Sequence, residues 1–283
     1  MNAPTLRSQH ACFGGTQAFY SHASGSTGTE MRFGLYLPPQ AADGPVPALY
    51  FLAGLTCTEE TFLIKAGAQR TAAELGLMLV ACDTSPRGLN LPGEAEHWDF
   101  GLAAGFYLDA TEAPWAPHYR MGHYIAEELP ALIEQHFPAR RDVRGIFGHS
   151  MGGHGALVTA LRDPARWHSV SALAPIANPV AVPWGQKAFT RYLGEDRRRW
   201  AEWDASLLMR RRPYPGPLLV DQGLADAFLE RELQPEALEA AAAASGQTLQ
   251  LRRHAGYDHS YWFIQSVIAD HLRHHARELG KRS

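Results

Sequence analysis

The sequence predicts an α/β fold of the α/β-hydrolase type, a mostly parallel central sheet with helices on both faces. Short, nearly continuous apolar runs recur along the chain, as parallel strands covered on both faces require. Between them lie stretches whose apolar residues fall three and four apart, the spacing of amphipathic helices. A third observation is that neither a repeat of solenoid period nor a low-complexity linker interrupts the alternation. The 283 residues are therefore read as one domain, 1–283.

The elements follow in order. Segments 16–22 and 31–37 are expected as an antiparallel edge, before the strand PALYFL (47–52). A helix over 67–75 leads to the strand LMLVAC (77–82). Over 119–137, Met121, Tyr124, Ile125, Leu129, Leu132, Ile133 and Phe137 form an apolar stripe, with Pro130 expected to kink or break it. VRGIFG (143–148) precedes a helix over 151–162, and VSALA (170–174) follows. The last part reads as PLLVDQ (217–222), a helix over 235–245, TLQLRR (248–253) and a helix over 260–278. The run ALEAAAAA (237–244) suits a helix interior because alanine has the highest helix propensity. Segments 83–118 and 177–213 read as irregular, rich in Pro, Trp, Gly and charge, and long enough to roof a pocket.

Composition narrows the classes. A hydrophobic fraction of 46% with 19% charged residues suits a globular protein with a large core. The net charge of −3 supplies no basic field for nucleic acid. The arginine runs 197–199 and 210–212 read as solvated faces near helix ends. Cys12, Cys57 and Cys82 are odd in number and lack metal-type spacing, which points to a reducing compartment. The polar N-terminus and the absence of an apolar run near ~20 residues predict neither a secretory signal nor a membrane span. A cytoplasmic protein is expected.

The chemistry begins at Gly148-His149-Ser150-Met151-Gly152, a G-x-S-x-G pattern. Alone it is weak. Here it follows an apolar strand and opens a helix rich in small residues, the strand–turn–helix setting of a nucleophile elbow. Serine needs an adjacent base. In the usual hydrolase order the acid and then the histidine follow on loops after later strands. Among fourteen histidines, His259 and His254 compete, the first in the loop after 248–253 and the second at the strand's end. Asp226 and Asp221 compete likewise, in the loop after PLLVDQ and within that strand. Asp221 is expected to bond local backbone, and Asp204 to cap a helix. The Met151 N–H at the helix start suits an oxyanion. A second donor is expected from the loop after PALYFL: Leu55, with Gly54 and Thr56 as alternatives.

The segments FLAGLTCTEETFL (51–63), DTSPRG (83–88), WDFGLAAGFYLDAT (98–111), EELPALI (127–133), GHSMGGHGAL (148–157), NPVAVPWGQKAF (178–189), DQGLADAFL (221–229) and YDHSYWFI (257–264) together resemble the S-formylglutathione hydrolase, or esterase D, family. The resemblance covers most of the chain from about residue 30 onward, in the family's order. It implies an α/β-hydrolase fold, a cytoplasmic homodimer, no cofactor and no metal. The implied reaction is hydrolysis of S-formylglutathione, a small-molecule thioester, to glutathione and formate, a step of formaldehyde detoxification. It further implies Ser150, Asp226 and His259 as the triad, Met151 and Leu55 as oxyanion donors, and Trp184 beside the acyl group. Cys57 is implied as a thiol near the site, although a small buried hydrophobe explains it equally well. Three positions depart from the pattern. Ala53 replaces a serine, Cys82 a proline and Leu224 a lysine; only the last lies near the acid. The residues that grip glutathione's charged ends are expected in 83–118 and 177–213. Two other functions fit the same residues: a broad short-chain carboxylesterase and a non-catalytic hydrolase-fold binding protein.

Overall fold

The computed structural model describes residues 2–281. Its nine strands are β1 (Thr5–Cys12), β2 (Gly15–Ala23), β3 (Glu30–Leu37), β4 (Val46–Leu52), β5 (Met78–Cys82), β6 (Ala139–His149), β7 (Ser169–Leu173), β8 (Leu218–Gly223) and β9 (Leu249–His254). They lie side by side in the order β1-β2-β3-β5-β4-β6-β7-β8-β9. β1, β2 and β3 pair antiparallel, and β3 joins β5 antiparallel. From β5 across to β9 every pair is parallel. This is the α/β-hydrolase arrangement, with the antiparallel edge where it was expected.

Alternation along the parallel strands sends successive side chains to opposite faces. Ser169 and Ser171 of β7 point to one face, where they bond His275 and His271 of the helix Tyr261–Gly280. The helix Met151–Arg162 also packs on β6 and β7, on the other face. It is buried on all sides from Met151 to Leu161, which explains its small, apolar sequence. None of the helices among the described residues is long and apolar enough to cross a membrane.

The structure departs from the sequence reading in four places. β1 was not anticipated because its residues are mostly exposed and give no apolar signal. The two-residue turn Phe13-Gly14 (φ 46° and 74°) returns it into β2. The helix Glu59–Lys65 was also missed: its capping box uses Thr58 and Thr61, without the usual Glu or Gln. Pro130 does not break its helix. The turn Tyr124–Glu128 widens to a π turn just before Leu129–His136, which absorbs the missing N–H bond. Finally, 177–213 is largely helical, with Pro183–Leu193, Arg197–Trp200 and Ala205–Arg211. Asp204 caps the last as expected, accepting from the Leu207 N–H at 3.0 Å.

Candidate active site

β6 ends at His149, and the chain turns at once into the helix that Met151 opens. Ser150 sits between them at φ 58°, ψ −120°, a conformation most residues avoid. Such backbone strain typically costs about 1–3 kcal/mol and persists only where surrounding bonds enforce it. Here the Ser150 N–H donates to the Leu173 carbonyl at 2.9 Å, and its own carbonyl accepts from His154 N–H at 3.0 Å. Close packing beneath the elbow demands glycine. A Cβ on Gly152 would lie 2.0 Å from the Leu52 carbonyl oxygen of β4.

Asp226 and His259 come from neighbouring loops. The Leu224 N–H donates to the His254 carbonyl and the Ala225 N–H to the Tyr257 carbonyl, each at 2.9 Å. These bonds join the turn after β8 to the turn after β9. Asp226 Oδ2 lies 2.5 Å from His259 Nδ1, and the carboxylate is fully buried. Because a carboxylate only accepts, the proton belongs on Nδ1, leaving Nε2 as the basic nitrogen. The Phe228 N–H donates to Asp226 Oδ1 at 2.9 Å and Gln222 Nε2 to Oδ2 at 3.3 Å, so the acid is held from both sides.

Ser150 and His259 line one cavity of about 350 Å³ with Gly54, Leu55, Thr56, Cys57, Thr61, Lys65, Trp98, His149, Trp184, Phe228 and Tyr261. A cleft of about 490 Å³ around Glu30, Arg32, Asp83 and Arg87 is larger but holds no nucleophile–base pair. Chemistry, rather than volume, locates the site.

The structure separates the competing residues. Asp221 does not bond local backbone, as was expected of it. Arg252 Nε donates to its Oδ1 at 2.6 Å, and His271 Nε2 lies 3.2 Å from Oδ2. Burial alone would raise its pKa, but these bonds from His271 and Arg252 hold it well below the usual carboxylate range. His254 Nε2 lies 3.3 Å from the same carboxylate, outside the cavity. Among the oxyanion candidates, the Thr56 N–H is already given to the Ala103 carbonyl at 3.0 Å, so Leu55 and Gly54 remain. Met151 is the first helical residue, where amides have no partner within the helix. Trp184 and Cys57 both line the cavity, while Leu224 is exposed and stands outside it.

Several lining residues had no role in the sequence reading, although their motifs were visible. Trp98 meets Trp184 edge to face at 5.6 Å, and Trp184 meets Phe228 at 4.8 Å. Phe228 in turn packs on the His259 ring at 5.1 Å. On the opposite side the His149 ring lies 4.4 Å from that of His259. Both His149 ring nitrogens are buried without a hydrogen-bond partner among the described residues. Burial, and then the neighbouring His259, push its pKa well below that of free imidazole, so it stays neutral. Burial likewise raises the Cys57 thiol pKa, which makes it a poor nucleophile at neutral pH.

Comparison with known proteins shows the family. The family model "Putative esterase" matches residues 24–274. An S-formylglutathione hydrolase of Paracoccus denitrificans is 53% identical over 273 residues, covering 96% of this chain and 97% of that protein. One from Mus musculus is 51% identical over 276 residues, with the same coverage. A solved S-formylglutathione hydrolase from Agrobacterium tumefaciens superposes with a TM-score of 0.95 at 48% identity, over 97% of this chain and 99% of that one.

Proposed function

The chain belongs to the S-formylglutathione hydrolase family, and from that premise we propose that its one domain, 1–283, works through an acyl-enzyme on Ser150. The protein is a hydrolase of the thioester S-formylglutathione, releasing glutathione and formate. The observation that supports Ser150 is its place on the strained elbow, in one cavity with an imidazole whose Nδ1 is held by a buried carboxylate.

His259 Nε2 takes the Ser150 proton as Oγ adds to the thioester carbonyl. The negative oxygen rests on the Met151 N–H and a donor at Leu55 or Gly54, each worth about 3–4 kcal/mol in comparable sites. Collapse breaks the C–S bond, and the thiol leaves with the proton from His259. Water, activated by the same imidazole, then releases formate and frees Ser150. Asp226 stabilises the imidazolium without itself taking the proton. His149, kept neutral by burial, adds no second positive charge beside it. The wall formed by Trp98, Trp184 and Phe228 suits a small apolar acyl group. Location in the cytoplasm and assembly as a homodimer complete the proposal.

The test measures kcat/KM for S-formylglutathione and for short nitrophenyl esters, in the native protein and in Ser150→Ala. The thioester is expected to be the better substrate, with both activities falling at least about ten-thousandfold in the variant. Preference for the nitrophenyl esters would favour a general carboxylesterase. Substantial activity in the variant would sink the nucleophile assignment.

A further inference from the structure

Two arms of the cavity diverge from His259. One runs through Phe228 and Trp184 to Trp98 and is wholly aromatic. The other runs from His149 to Tyr261, whose rings lie 6.0 Å apart, and on to Lys65, whose Nζ stands 5.9 Å from the Tyr261 ring. Lys65 is the one residue lining the cavity with a permanent charge, and it forms no ion pair among the described residues. Its side chain is exposed at the cavity mouth, while its backbone is fixed. Lys65 ends the helix Glu59–Lys65, and its carbonyl accepts from Gln265 Nε2 of the Tyr261–Gly280 helix at 2.5 Å.

The substrate is as uneven as the cavity. The formyl group is small and neutral, whereas the glutathionyl group carries two carboxylates and one ammonium. A tripeptide spans about 10 Å when extended. In glutathione the sulfur sits on the middle residue. With that atom at Ser150, a carboxylate at either end stands well away from the reacting carbon, toward an arm of the cavity. We propose that Lys65 selects the thiol half of the substrate, its ammonium receiving a carboxylate of the glutathionyl group at the end of the Tyr261 arm. This rests on the thioesterase reading above. It also moves the charged grip to the helix that the sequence did not reveal. Segments 83–118 and 177–213 supply Trp98 and Trp184 instead, which belong to the apolar arm.

The experiment compares S-formylglutathione with its dimethyl ester, in which both carboxylates are blocked, using the native protein, Lys65→Met and Lys65→Arg. The native protein is expected to prefer the free acid by about fivefold in kcat/KM, carried by KM, the upper range for a solvent-facing ion pair. Lys65→Met loses this preference and Lys65→Arg keeps it. An undiminished preference in Lys65→Met overturns the inference, as does a native protein indifferent to the blocked carboxylates. Hydrolysis of nitrophenyl acetate with neither thioester turned over has a different signature. That result removes the substrate assignment itself, and the role of Lys65 with it.

Discussion

At the scale of residues, the site depends on who holds which proton. Asp226 bonded to Nδ1 selects the tautomer that leaves Nε2 basic toward Ser150. Asp226→Asn keeps the shape but can donate to Nδ1, which favours the wrong tautomer. We expect a fall in kcat of about ten-thousandfold with thermal stability little changed, read by steady-state kinetics and a melting curve. Retained turnover would show that the acid lies elsewhere. Ser150 was legible in the sequence because its elbow needs small residues at fixed positions. Its partners were not, since Asp221 and His254 also sit at strand ends and spacing treats them alike. Only the family motifs chose between them. The structure adds the reason: Asp221 is engaged by Arg252 and His271, so it serves the packing of the last helix. The second oxyanion donor was beyond sequence altogether, because a backbone amide leaves no mark in side-chain identity.

At the scale of elements, the feature that aligns acid and base is the join between the turns after β8 and β9. Gly223 permits it. A Cβ there would stand 2.4 Å from the Tyr257 carbonyl oxygen, so Gly223→Ala must push the two turns apart. The expected outcome is at least a hundredfold loss of kcat/KM, of the order seen when catalytic groups shift by about 1 Å. Fluorophosphonate labelling of Ser150 would slow in parallel, and normal labelling would refute the account. The strands β4 to β8 and most of the helices against them were readable because burial on both faces forces apolar runs. β1 was not, since an exposed edge strand needs no such pattern. The helices within 177–213 were hidden because they are short and mix buried aromatic residues with charged ones that face solvent, although Asp196 and Asp204 cap two of them.

At the scale of the whole molecule, the fold was legible and the assembly was not. Strand order and handedness follow from general packing rules, whereas pairing of two copies depends on surface details that no periodicity records. The homodimer proposal predicts a solution mass twice the 31.2 kDa of the chain, measured by sedimentation equilibrium. A monomer at micromolar concentration would reject it. The parallel sheet has one more consequence. The proposed triad gathers residues from the ends of β6, β8 and β9, which meet only after long intervening segments have closed. Contacts so distant along the chain form late, because loop closure must precede the bonds that reward it. Helix content can therefore return to a refolding chain while the acid, base and nucleophile are still apart, and catalytic turnover is the stricter clock for a finished sheet.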